Sequence, residues 1–186
     1  MDKFVLIILI IVILIIFYYA SEKIFFKIKG TYVKSENTTY LVKNTKNKYK
    51  KVEILNKLFE DIDYILENFK LDGYDIEEVR KKIKEMEIIE NLTEEDSSYT
   101  INKGERMVIC LANRETDKIY DYNLTLYVIL HEVSHMICKS YGHGDEFKMI
   151  FNKLCKKAID LGIYKYTDYK KKPEEYCGLI LNTSIV

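Results

Sequence analysis

The sequence predicts an α+β fold, and three observations carry that expectation. Helix-spaced apolar stripes run between residues 52 and 86, a strand-like stretch follows from Tyr99 to Ala112, and two more helical stripes lie between 123 and 161. With 186 residues, 48% of them hydrophobic, the chain can build one modest core, and disorder is excluded. One Pro and seven Gly leave no Pro- or Gly-rich linker. Basic and acidic residues number 29 each, so no overall field draws in phosphates, and nucleic acid is not an expected partner. The runs Lys46 to Lys51, Lys81 to Lys84 and Lys170 to Lys172 read as solvated faces.

From Phe4 to Ala20 every residue is apolar or Tyr, a run of 17. At about 1.5 Å per residue it reaches the short end of a bilayer helix, so residues 1–20 read as a transmembrane anchor and the bilayer as a partner through residues 4–20. Phe17, Tyr18 and Tyr19 then sit at headgroup level. Lys23, Lys27, Lys29 and Lys34 follow the segment and only Lys3 precedes it, which predicts a single-pass protein with its C-terminal domain in the cytosol. The four cysteines have no CxxC spacing and read as reduced, structural thiols, in keeping with that compartment. Residues 21–47, with Ser35, Glu36, Asn37, Thr38 and Thr39, read as a tether, and the domain itself as 48–186.

Val52, Leu55, Phe59, Ile62, Leu66 and Phe69 recur at three- and four-residue steps and predict a core-facing helix that Gly73 stops. Asp75 followed by Glu78 opens a second helix with the stripe Ile76, Val79, Ile83 and Met86. Asn102-Lys103-Gly104 is a turn between strands, and Met107 to Leu111 is a continuous apolar run, read as an edge strand able to align an extended peptide. Asn123 is positioned to cap a helix whose Leu126, Leu130, Val133 and Ile137 share one face. Phe147, Ile150, Phe151, Leu154, Ala158 and Leu161 form the last stripe, with Phe147 read as core.

The chemistry lies in His131-Glu132-Val133-Ser134-His135, an HExxH sequence for which about 0.005 chance occurrences are expected at this composition. Imidazoles at i and i+4 are one helical turn apart, so both ring nitrogens can reach one Zn²⁺, and Glu132 can serve as general base without being a ligand. A catalytic zinc needs a third protein ligand. The remaining histidine is His143, and Gly142 and Gly144 beside it allow the chain to turn back after the helix. Cys138, on nearly the same helix face as His131, and Asp145 or Glu146 stay open as alternatives.

The stretch from Tyr99 to Val186, with Val108-Ile109-Cys110-Leu111, the HExxH, Gly142-His143 with Phe147, and Tyr176-Cys177-Gly178, resembles the small WLM-like metallopeptidases of large DNA viruses, and more distantly the SprT-like proteases. The interval between the second and third His is eight residues here and six in cellular WLM domains. The resemblance implies a zincin-like fold, an active-site helix against a small, mostly antiparallel sheet, with His131, His135 and His143 as zinc ligands and Glu132 as general base. It implies a zinc endopeptidase acting on a protein or peptide, which the N-terminal anchor would place at a host or virion membrane. Two alternatives are a protease acting on DNA-bound or DNA-crosslinked proteins, as those relatives do, and a non-catalytic, membrane-tethered zinc-binding interaction module.

Overall fold

The computed structural model describes residues 3–35, 38–93 and 97–186, apart from the side chains of residues 3–4 and 22–28. Glu36 and Asn37 of the expected tether lie outside the described residues, as do the Lys23 and Lys27 side chains invoked for orientation. In chain order the elements are α1 (Lys3–Lys29), β1 (Gly30–Lys34), β2 (Thr39–Lys43), α2 (Lys48–Glu67), α3 (Ile76–Glu85), β3 (Glu87–Glu90), β4 (Tyr99–Ile101), β5 (Arg106–Ile109), α4 (Tyr122–Ile137), α5 (Asp145–Asp160), β6 (Glu174–Tyr176) and β7 (Leu179–Leu181).

The architecture is α+β, but its sheet is evenly mixed. Five strands lie in the order β1-β2-β3-β5-β4, with β1–β2 and β4–β5 antiparallel and β2–β3 and β3–β5 parallel. The reason is the crossover: α2 and α3 fill the connection between β2 and β3, and a parallel pairing requires such a return path. β5 is therefore an inner strand. The edge beside α4 is β4, which corrects the expectation for Met107 to Leu111.

The stretch expected to be a tether holds β1 and β2, so the sheet begins at Gly30. Tyr40, Leu41 and Val42 are all buried, and three consecutive buried residues in so short a strand show no alternation by which to recognise it.

The membrane expectation is overturned. Among the described residues no helix is long and apolar enough to cross a membrane, so the single-pass location, the bilayer partner and the orientation derived from them fall. The apolar run of 17 residues covers only about 25 Å, short of a hydrocarbon core of about 30 Å.

The core is built on α4, whose Leu126, Ile129, Leu130 and Val133 are fully buried among α2, α3, α5 and β4. Its N-cap is Asp121, which accepts from the backbone N–H of Asn123 and Leu124, whereas Asn123 bonds the backbone of Lys165. Asp75 caps α3 as expected, accepting from Glu78 N–H. The β4–β5 turn lies so close to α4 that a Cβ on Gly104 would sit 2.7 Å from Met136 Cε, the movable end of that side chain, and the φ of +117° is what disfavours a larger residue there.

Two long-range features depart from the sequence reading. Cys110, just after β5, forms a disulfide with Cys177 in the β6–β7 turn, 67 residues away, and only Cys138 and Cys155 are free and buried thiols. Paired cysteines also remove the compartment argument drawn from reduced ones. Lys51 is completely buried instead of solvated, its Nζ 2.7 Å from both Glu90 Oε1 and Asp117 Oδ1.

Candidate metal centre

α4 carries His131 and His135 one turn apart, and ends at Ile137 with Cys138 as an extended C-cap. An irregular loop of 138–144 leads into α5, and Gly142 (φ +82°) makes the left-handed turn that reverses the chain. Gly144, with a negative φ, is simply the N-cap of α5. The reversal brings His143 back over the helix. Its Nε2 lies 3.0 Å from His131 Nε2 and 3.1 Å from His135 Nε2, which are 3.2 Å from each other. Four-coordinate zinc with bonds of 2.0 to 2.1 Å puts ligand nitrogens about 3.3 Å apart, so the triangle fits such an ion.

Electrostatics agree with that fit. Burial pushes the His131 imidazole down to about 3 and His135 down to about 4, with the neighbouring imidazoles and, for His135, the Lys103 ammonium adding to the effect, so both rings are neutral and able to donate a lone pair. A neutral imidazole has one N–H, so three Nε2 atoms in mutual contact cannot satisfy one another by hydrogen bonds. A shared cation satisfies all three. Among the described residues these histidines form a group able to hold a metal ion.

Phe147, read from the sequence as core, is the floor of the centre. His135 stacks on its ring at 4.2 Å, and His131 and His143 meet it edge-on at 4.8 Å each. The alternative ligands are elsewhere: the buried Cys138 thiol faces Ser140 Oγ, Asp145 faces Lys148, and Glu146 accepts backbone N–H groups of the loop.

Glu132 is 6% exposed, and one carboxylate oxygen accepts from Thr100 Oγ1 of β4 at 3.2 Å. Burial raises its pKa to about 7, against the lowering effect of the Thr100 hydrogen bonds. Glu132 and the three histidines line a cleft of about 590 Å³ with Tyr99 and Thr100 of the edge strand, Tyr127 and Val128 of α4, and Tyr176, Leu179 and Leu181 of the C-terminal hairpin. The hairpin went unread in the sequence. Tyr176 Oη donates to the Cys110 carbonyl at 2.6 Å, and with the disulfide it ties the hairpin to the end of β5.

The fold has counterparts among solved structures. It is similar to Wss1 from Saccharomyces cerevisiae, with a TM-score of 0.52 at 13% identity over 65% of this chain and 87% of that one. A mutant of the same protein gives 0.51, and the architecture is thus WLM-like. No family model matches the chain. The chain is 39% identical over 170 residues to the uncharacterized protein R325 of Acanthamoeba polyphaga mimivirus, covering 86% of each, and it belongs to the family of that protein. It is also 36% identical over 88 residues to the uncharacterized protein 136R of Invertebrate iridescent virus 6, covering 46% of this chain and 48% of that one.

Proposed function

We propose that this protein is a zinc-dependent peptidase. The observation that carries the reading is the convergence of three imidazole nitrogens, 3.0 to 3.2 Å apart, beside a buried carboxylate in an open cleft. His131, His135 and His143 hold the zinc, which when bound supplies a Lewis acid for the scissile carbonyl and acidifies a water. Three protein ligands leave one position open, as turnover requires. Glu132 accepts the proton of the attacking water and delivers it to the leaving amine, and Thr100 fixes its carboxylate against the edge of the cleft. A raised carboxyl pKa suits both halves of that transfer. An extended substrate lies along β4, the last strand of the sheet, where Tyr99 and Thr100 line the cleft.

The test is metal content and turnover of the full chain. We expect about one zinc per chain and cleavage of an unfolded protein that chelation abolishes, with Glu132→Gln reducing the rate about 10²- to 10⁴-fold while zinc stays bound. A zinc-loaded chain in which Glu132→Gln changes nothing is a non-catalytic module. The likeness of the fold to Wss1, together with the sequence resemblance to WLM proteases, favours one narrower substrate, protein attached to DNA. Salt-sensitive DNA binding and preferential cleavage of a DNA-crosslinked protein test it.

A further inference from the structure

His143 lies in an exposed loop, yet its ring nitrogen must stay within a few tenths of an ångström of its place for three ligands to share one ion. Among the described residues, no backbone–backbone hydrogen bond involves an N–H or C=O of residues 139–143, so the loop has no regular structure of its own to hold it. What holds it comes from outside, on two sides. On one side is Glu146 in the first turn of α5. Its Oε1 accepts from the N–H of Lys139 and its Oε2 from the N–H of Ser140, both at 3.0 Å, while Tyr74 Oη donates to Oε1 at 2.9 Å. The Lys139 ammonium lies 4.8 Å over the Tyr74 ring and closes that side. On the other side is Lys103. Its Nζ donates to the carbonyls of Cys138 at 2.7 Å and Lys139 at 2.9 Å, and it lies 4.7 Å over the Tyr141 ring. Lys103 reaches there from the β4–β5 turn, where it and Asn102 both have left-handed backbones and Gly104 permits contact with α4.

We propose that Glu146 and Lys103 are positioning residues that clamp the 138–144 loop by its amides and its carbonyls, so that His143 completes the metal site. The inference rests on His143 being a ligand. Neither residue touches the ion or the substrate's reacting atoms; both act through the backbone that carries His143. The arrangement also accounts for the long interval between the second and third histidines. A loop of that length at an exposed position needs external anchors, and charge-assisted bonds to backbone groups are the strong ones.

Zn²⁺ affinity of the full chain, measured by competition with a chelator, tests this in wild type, Glu146→Ala, Glu146→Gln, Lys103→Met and His143→Ala. We expect Glu146→Ala to weaken zinc about 10- to 100-fold, the scale of outer-shell losses, with Glu146→Gln between it and wild type because one acceptor oxygen remains. Lys103→Met, which keeps the apolar stem and removes the donors, weakens zinc in the same direction and cannot fail for want of packing. Bound Co²⁺ in these variants shows the weaker visible absorption of a site that has exchanged a histidine for water. Wild-type zinc affinity in both Glu146→Ala and Lys103→Met, alongside a large loss in His143→Ala, overturns the clamp and leaves the three-histidine site standing. Wild-type affinity in His143→Ala overturns the metal reading and the clamp with it.

Discussion

Two clusters of polar side chains, one buried around Lys51 and one lining the cleft around His131, differ in how well their members satisfy one another. Around Lys51 the accounting closes: the ammonium faces Glu90 and Asp117, Glu90 accepts from Lys43 N–H, and Asp117 accepts from Asn47 Nδ2. Around His131, His135 and His143 it does not close, because each Nε2 can either donate or accept but not both, and three in mutual contact cannot all be paired. A closed cluster is architecture, tying α2 to the ends of β2 and β3 and to the loop after β5. An open one is a place for something else to bind. Polar groups withdrawn from water are ordinarily paired, so ring nitrogens that converge without full pairing mark a ligand site more sharply than polarity alone does.

The largest expected effect breaks the closed cluster. Lys51→Ala leaves two carboxylates without their cation and should destabilise the chain by about 3 to 5 kcal/mol, measured by denaturant unfolding. Lys51→Met combined with Glu90→Leu and Asp117→Asn should recover most of that, since a buried ion pair replaced by apolar groups is often neutral.

Next is the disulfide, which closes a loop across 67 positions. Cys110→Ser with Cys177→Ser should cost about 4 kcal/mol by the chain-entropy argument, in equilibrium unfolding under the same conditions. Because Tyr176, Leu179 and Leu181 line the cleft, the variant should also lose activity at temperatures where it stays folded.

Phe147→Ala separates packing from ligation. Removing a buried ring should cost about 3 to 5 kcal/mol, and it should also weaken zinc because all three imidazoles rest on that ring. Equal zinc affinity in the folded fraction would reduce Phe147 to core alone.

The smallest effect sharpens the comparison. His135→Ala should change metal-free stability by less than about 1 kcal/mol, since the open cluster has no internal pairing to lose, while abolishing the stabilisation that zinc provides to the wild type, about 2.7 kcal/mol at 100 times Kd. A large loss of metal-free stability would mean the two clusters are alike after all.

The candidate site was legible because its determinants are local. HExxH needs only the helical period to bring two imidazoles to one ion, and His143 follows within eight residues with a glycine to turn the chain. The stripes of α2, α3 and α5 were readable for the same reason: a single period of 3.6 residues governs which side chains share a face. Where the reading failed, the determinants were distant. β1 and β2 are short and are strands only because partners complete them, and β5 is internal only because β3, reached through a two-helix crossover, occupies its other side. The 17-residue apolar run was measured against a bilayer it is too short to cross.

By itself, then, the sequence determined the core-facing helices and which residues to test as ligands and as general base, since each depends on residue type and spacing along a few turns. Tertiary structure alone decided which lysine is buried, which cysteines pair, which strand is the edge and what holds the His143 loop. Those are contacts between residues tens of positions apart, and which of them form depends on how the whole chain packs, a matter on which local periodicity is silent.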